Sequence, residues 1–218
     1  MVAPGLLALE LTAAVVLVSA WLSLVHRRLE AIINLYLVQS AAVGLIAILV
    51  AYLYSAPDLY LTGLLVLGLN AIIFPWILHR IQREIRVPNE IRMFVSVRLS
   101  ALAGLGCLLL AVAVVGPLTP LAEIPAAGLL PISVAVVLMG LFMVSTRRKA
   151  FTQVVGMLVM ENGVFLAGVA LTYGLGIFLE LGVAANLLIL AIVSRIFLYR
   201  MNDTFDTVDA DVLRSLEG

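Results

Sequence analysis

Long apolar runs, separated by short polar turns, are the feature that most limits what this chain can fold into. A helix needs about 20 mainly apolar residues to cross the hydrocarbon layer of a membrane. The turns between the runs carry helix-breaking residues, as at Pro57-Asp58 and Pro88-Asn89. We therefore predict an all-α integral membrane protein with about seven transmembrane helices. The predicted helices cover residues 6–25, 31–54, 59–79, 97–116, 129–145, 151–173 and 179–199.

Composition supports the membrane assignment and excludes several other classes of protein. Hydrophobic residues make up 64% of the 218 residues and charged residues 12%, against about 25% charged in ordinary soluble domains. The formal net charge is zero, so nucleic acid is not expected as a partner. Cys107 is the single cysteine, which excludes a disulfide framework or a multi-cysteine iron–sulfur site in this chain. The sequence contains no phosphate-binding loop, nucleophile elbow or metal-ligand spacing, so we expect no cofactor, metal or catalytic residue in this chain.

Lysine and arginine occur on one side of the predicted helices only, and this asymmetry sets the orientation of membrane proteins with short loops. Basic clusters follow the first, third, fifth and seventh runs. The N-terminus and the loops near Asp58, Glu123 and Glu180 contain neither Lys nor Arg. We therefore predict an N-terminus outside and a cytoplasmic C-terminus. The N-terminus also lacks the basic stretch that opens a signal peptide, so we expect the first helix to be retained.

The spacing of the basic clusters suggests an internal repeat. Arg27 and Arg147 are separated by the same number of residues as Arg80 and Arg200. Residues 1–93 would form a first three-helix unit with a cytoplasmic loop, and residues 129–201 a second, parallel unit. Residues 94–128 would supply the linking fourth helix and an outer loop, and residues 202–218 an acidic cytoplasmic tail, either solvated or docked on a neighbouring subunit. Chance matches among apolar residues explain the spacing equally well.

Glu161 is the strongest candidate for a functional residue, because it lies near the middle of the apolar run 151–173. Acidic residues inside a membrane are rare and mark proton or ion pathways by default. No cation is adjacent to Glu161 within the same run, so a partner must come from another helix, from water or from another subunit. Two interpretations stay open: a proton-transfer group, or a protonated structural carboxyl that is hydrogen-bonded between helices.

Other polar residues fall at a similar depth. At about 1.5 Å of rise per residue, they lie roughly 15 to 21 Å from the nearest basic cluster: Gln39, Asn70 and Asn186. These amides either line a hydrated proton path or serve as interhelical hydrogen-bonding glue. Glu180 lies at the outer end of its run, where an interfacial acid and a proton exit both fit. Pro75 lies near Asn70 in the third run, where we expect a kink.

Three stretches of the chain carry a resemblance to a known family: Met160-Glu161-Asn162-Gly163, Glu180-Leu181-Gly182-Val183-Ala184 and the ending Leu213-Arg214-Ser215-Leu216-Glu217-Gly218. With the length and span pattern, they resemble hydrogenase-4 component E, a membrane-arm subunit of group 4 nickel–iron hydrogenases. The last three helices also resemble the K-type subunit of complex I and the C-type subunit of multisubunit cation/proton antiporters. The resemblance implies a non-catalytic subunit that contributes to proton translocation in a prokaryotic cytoplasmic (inner) membrane.

The resemblance also implies partners, namely antiporter-like membrane subunits in the lipid bilayer and a hydrophilic arm that holds a nickel–iron centre and iron–sulfur clusters. The chain departs from the K-type pattern, which would place its first intramembrane Glu at Leu158, one helical turn before Glu161. In the last helix, Asn186 stands where relatives offer a carboxylate, and an amide cannot carry the proton. Two other functions stay open: a purely structural assembly subunit, and an independent small transporter.

Overall fold

Helices make up the structure, a computed structural model that describes residues 2–84, 94–119 and 126–172. Within these ranges there is no strand. A π-helical turn, Leu69–Ile73, joins α3 to α4, and short 3-10 turns lie at Gly116–Leu118 and Ala127–Leu129. The α-helices are α1 (Val2–Val25), α2 (Leu29–Tyr54), α3 (Asp58–Gly68), α4 (Phe74–Glu84), α5 (Val97–Val115), α6 (Leu130–Thr146) and α7 (Ala150–Thr172).

Six helical spans in the described ranges are long and apolar enough to cross a membrane. They are Gly5–Val25, Leu29–Tyr54, Asp58–Arg83, Val97–Leu118, Ala127–Thr146 and Phe151–Leu171. These spans coincide with the first six predicted runs, so the prediction of an all-α, multi-pass membrane protein is confirmed at that level. The seventh predicted run, 179–199, and the predicted tail, 202–218, lie outside the described residues.

Local chemistry explains where several helices begin and end. Helix α2 ends at Ser55, whose backbone is left-handed (φ 54°) and whose N–H donates to the carbonyl of Ala51. Asp58 then places a negative charge in the first turn of α3, where it favours the positive end of the helix dipole. Ser96 caps α5, because its Oγ accepts a hydrogen bond of 3.3 Å from the backbone N of Leu99. Short turns of this kind make successive helices antiparallel neighbours.

Glycines set the closest approaches between helices. Helix α2 packs against α1, α3, α4 and α7, and at its crossing with α3 a Cβ on Gly63 would lie 2.9 Å from the carbonyl oxygen of Gly44. Where α6 packs on α7, a Cβ on Gly140 would lie 2.5 Å from the backbone N of Met160. Small residues at such crossings allow helix backbones to meet inside a membrane. The glycine at position 140 therefore allows α6 and α7 to approach closely beside residue 161.

Arg147 is buried, although it belongs to a basic cluster at the end of a span. The sequence groups it with Arg148 in the basic cluster that follows the fifth run, where such residues usually lie in water, but its side chain is only 1% exposed. Its Nη2 donates to the carbonyl oxygens of Ser23 (2.9 Å) and Leu24 (3.0 Å), near the end of α1. A cation is favourable there because the helix dipole leaves carbonyl groups unpaired. Burial lowers the pKa of Arg147 to about 10, so the group stays charged at neutral pH. Arg148 is exposed and lies 4.3 Å from the centre of the Phe94 ring.

Candidate functional site

Six buried polar side chains lie together where α2, the π-helical turn and α7 meet. We refer to them as the intramembrane polar cluster. Each is between 0 and 7% exposed: Tyr36, Gln39, Ser40, Asn70, Glu161 and Asn162. The same helices otherwise bury apolar side chains such as Val43 and Leu158. The cluster is therefore a polar site enclosed in an apolar core.

Glu161 lies at the midpoint of the span Phe151–Leu171, so roughly 15 Å of helix separates it from either end of the span. Its side chain is 7% exposed, and the surrounding helix is the most enclosed of the six described spans. Glycine contacts on both sides of Glu161 allow α7 to pack closely on α6. Gly140 meets the backbone of Met160, and a Cβ on Gly163 would lie 2.9 Å from the carbonyl oxygen of Ser133. These contacts bring the backbone of α7 close to α6 on both sides of Glu161.

Asn70, on the π-helical turn, lies close enough to the Glu161 carboxyl for the two side chains to interact. In that turn the backbone N–H of Phe74 donates to the carbonyl of Leu69, five residues earlier, and the following Pro75 has no N–H to donate. Such turns shift side chains out of the regular α-helical register and are frequent at functional sites. Asn70 Oδ1 and Glu161 Oε2 have no hydrogen-bond partner among the described residues.

Asn162 connects α7 to α2. Its Nδ2 donates to Ser40 Oγ at 2.8 Å and lies 3.3 Å from Gln39 Oε1. Neighbouring residues on α7 therefore both face the cluster: Glu161 lies near Asn70 of the π-helical turn, and Asn162 is hydrogen-bonded to α2. These hydrogen bonds of the Asn162 amide join α7 to α2 directly beside the residue that carries the carboxyl.

Tyr36 lies one helical turn before Ser40 on α2 and is fully buried. It is close enough to Glu161 for the two side chains to interact electrostatically. In the part of the chain that the structure describes, its Oη has no hydrogen-bond partner of good geometry, and neither have Gln39 Nε2 and Asn162 Oδ1. Buried polar atoms nearly always have a partner, either protein or ordered water. Several unpartnered atoms in one place therefore call for a functional explanation.

Sequence analysis predicted three members of this cluster. The structure brings Gln39, Asn70 and Glu161 together, whereas Asn186 and Glu180 lie outside the described residues.

The other three members were missed, although the sequence contains their signal. Tyr36 and Ser40 are four residues apart and flank Gln39, so all three lie on one face of a helix. Asn162 directly follows the predicted acid. The charge and depth of Glu161 do not by themselves point to these neighbours, because a tyrosine, a serine and an amide each occur often in membrane helices without forming a site.

The chemistry that the cluster offers is proton exchange at one carboxyl and hydrogen bonding by amide and hydroxyl groups. Over the described ranges, no group of three or more His, Cys, Asp or Glu side chains is placed to hold a metal ion.

These features define the class: a multi-pass helical membrane protein with a buried polar site at the middle of its spans. The chain is 34% identical over 202 residues to the uncharacterized protein Rv0085 of Mycobacterium tuberculosis, and the match covers 92% of either chain. It belongs to the same family as that protein. No family model matches the chain, and no solved structure matches it either.

Proposed function

We propose that this chain is a membrane-arm subunit of a hydrogenase-4-type or complex I-related oxidoreductase complex, and that Glu161 helps to couple redox chemistry to proton translocation. One observation carries the proposal: the Glu161 carboxyl lies at the midpoint of an enclosed span, beside the buried amide of Asn70 on a π-helical turn. The resemblance to hydrogenase-4 component E supports the same assignment from the sequence. Redox chemistry would occur in partner subunits that hold the nickel–iron centre and iron–sulfur clusters.

A carboxyl relays protons only if both its protonated and its charged form are accessible. Burial opposes the charged form, since a carboxylate is costly in a low-dielectric medium. An amide N–H of Asn70 would act in the opposite direction if it turned toward the carboxylate, because a donor that faces the charged form stabilises it. The Oε2 atom of Glu161 is buried and has no partner among the described residues, so its lone pairs can still accept a hydrogen bond from a buried water or another donor. These opposing effects suit a group that gains and loses a proton.

The remaining members of the cluster suit a hydrated path beside the carboxyl. Gln39 Nε2 is a donor, Asn162 Oδ1 is an acceptor and Tyr36 Oη is both, and none of the three has a partner in the described ranges. Buried waters typically bond about three such groups. Amides hold and orient water but do not carry the proton, so Glu161 is the titrating member. Asn186 and Glu180 stay predicted members of the path from the sequence alone.

A structural assembly subunit is the second candidate function. The short bond from Asn162 to Ser40 and the glycine contact of Gly140 with Met160 both tie α7 into the bundle. In that case Glu161 remains a neutral carboxyl that joins two helices, and proton movement belongs to other subunits. A third candidate from the sequence, an independent transporter, differs from both because it needs no partner subunits.

The test uses the intact complex and one conservative substitution. Purification of the wild-type protein in mild detergent should bring down antiporter-like membrane subunits and a metal-bearing hydrophilic arm. Glu161→Gln keeps the shape of the side chain but removes its titratable proton, so we expect normal assembly and strongly reduced proton uptake by inverted vesicles. Asp58→Asn is the matched control, because Asp58 is exposed and is the first residue of its span; we expect it to pump normally.

Three results would count against the proposal. Full proton uptake by Glu161→Gln at normal assembly leaves the structural interpretation. Equal loss in both variants shows a general effect of removing a carboxylate from the chain. A chain that purifies alone and transports a solute after reconstitution is a transporter.

A further inference from the structure

Tyr36 carries a hydroxyl group that the contacts described so far do not use. The side chain is 0% exposed, and its Oη has no hydrogen-bond partner of good geometry in the described ranges. A phenylalanine would fill the same space without the cost of burying an unpaired hydroxyl group. The hydroxyl group therefore needs a partner that another state of the site supplies.

Helices α2 and α7 place Tyr36 and Glu161 at similar depths. They form the second and sixth of the six described spans, so antiparallel neighbours along the chain make these two helices run in the same direction. Ser40 and Asn162 lie equally far from the beginnings of their spans, and the 2.8 Å hydrogen bond between them agrees with this alignment. Tyr36 lies one helical turn before Ser40 and Glu161 one residue before Asn162, so their depths differ by only about 4–5 Å.

A charged Glu161 has no buried cation close to it. Among the buried side chains that the structure describes, the charged ones are Glu161 and Arg147. Helix α7 separates the two by roughly 16 Å, and Arg147 is hydrogen-bonded to the end of α1. A carboxylate in a low-dielectric site without a cation depends on hydrogen-bond donors. The donors within the polar cluster therefore decide whether the charged form is accessible.

Few donors in the cluster are free to serve a carboxylate. The Asn162 amide nitrogen is engaged by Ser40 and lies 3.3 Å from Gln39 Oε1, which restrains the Gln39 amide. Asn70 can turn either its oxygen or its nitrogen toward the carboxyl, so it can serve both protonation states. The hydroxyl hydrogen of Tyr36 rotates about a single bond, and Oη has no competing partner among the described residues.

We propose that Tyr36 is the positioning residue for the charged form of Glu161: when Glu161 releases its proton, the Tyr36 hydroxyl group donates a hydrogen bond to Oε2 of the carboxylate. The released proton passes to water in the hydrated path, and Tyr36 keeps its own proton. Oη and Oε2 are complementary, because both are buried and unpartnered in the described ranges and the two side chains interact electrostatically. The inference rests on the proposed function and assigns one residue to one step of it.

The test compares Tyr36→Phe with Tyr52→Phe in the intact complex. Tyr52 is the matched control, because it lies on the same helix and is 67% exposed. Tyr36→Phe should assemble normally, since the hydroxyl group that it removes has no partner in the described ranges. We expect its proton uptake in inverted vesicles to fall at least about tenfold, because a hydrogen bond to a charged group is lost. Tyr52→Phe should match the wild type.

Infrared difference spectroscopy separates this role from a structural one. The carbonyl band of protonated Glu161 is identified by its absence in Glu161→Gln. In Tyr36→Phe this band should keep its frequency at rest, since the hydroxyl group serves the charged form. Its change at the start of turnover should shrink by the same factor as proton uptake. Disturbed packing around the ring would instead alter the band at rest.

Four results would overturn the inference. Normal proton uptake by Tyr36→Phe shows that the hydroxyl group is not needed, and failed assembly shows that it has a structural partner. Equal losses in Tyr36→Phe and Tyr52→Phe show a general effect of removing a tyrosine hydroxyl group. A shifted resting band in Tyr36→Phe shows that Tyr36 serves the protonated carboxyl.

The Glu161→Gln variant separates failure of this inference from failure of the proposed function. Normal uptake by Glu161→Gln removes both. Uptake that is lost in Glu161→Gln but normal in Tyr36→Phe removes only the role of Tyr36.

Discussion

The substitution Gly140→Ala tests the contact between α6 and α7 that positions Glu161. The added Cβ would lie 2.5 Å from the backbone N of Met160 and 2.7 Å from its Cα, whereas carbon atoms pack at about 3.5–4.0 Å. The two helices would have to separate by about 1 Å, because backbone atoms cannot rotate away as a side chain can. Overpacking of this kind costs about 1–3 kcal/mol, and contact with backbone places this site at the upper end. Alanine returns about 0.5–1 kcal/mol of helix propensity, which leaves a net loss of about 2 kcal/mol.

Gly106→Ala on α5 is the matched control, since a Cβ there would meet nothing within 4 Å. We expect this variant to match the wild-type protein or to be more stable by up to about 1 kcal/mol. The assay is reversible unfolding in mixed micelles, followed by circular dichroism, with thermal unfolding as a second measure. A loss of 2 kcal/mol corresponds to a fall in Tm of roughly 4–8 °C. If Gly140→Ala were as stable as Gly106→Ala, α6 and α7 would not be in backbone contact, and the reasoning would be refuted.

Two further predictions concern the cytoplasmic ends of the helices. Arg147→Ala should lower the free energy of unfolding by about 2–4 kcal/mol, because it leaves a cavity and removes the donor to the Ser23 and Leu24 carbonyls; Arg148→Ala should stay near the wild type, and similar losses from both would contradict the burial of Arg147. For the predicted orientation, a cysteine at exposed Asp58 should react with a membrane-impermeant reagent from outside, and one at Arg148 only after the cytoplasmic side is opened. The reverse pattern would contradict the orientation.

Helix positions followed from the sequence because lipid leaves few alternatives. Every backbone polar group in a membrane must be satisfied within its own segment, so a run of about 20 apolar residues has little choice but to form a helix. The third run shows the limit of this reasoning. Pro75 predicts a kink near Asn70, but the sequence does not distinguish a simple bend from the π-helical turn Leu69–Ile73 that the structure contains. That choice depends on the hydrogen bond from Phe74 to Leu69, which no apolar pattern records.

The site was predictable in depth but not in composition. Rise per residue placed Gln39, Asn70 and Glu161 at one height, and all three meet in the polar cluster. Which helices are neighbours is a tertiary property, so the bond of Asn162 to α2 could not be derived from either helix alone. The burial of Arg147 could not be predicted for the same reason. A basic cluster after a span usually lies in water, and only the position of α1 shows that this guanidinium reaches buried carbonyl groups.

The most direct test of the central claim is to observe the Glu161 carboxyl itself during turnover. Infrared difference spectroscopy on the intact complex, with and without redox substrate, detects the carbonyl stretch of a protonated carboxyl. A relay predicts that a carboxyl band changes when turnover begins, that the change is absent in Glu161→Gln, and that it persists in the exposed-site control Asp58→Asn. A difference band that survives unchanged in Glu161→Gln would contradict the claim that this residue gains and loses the proton.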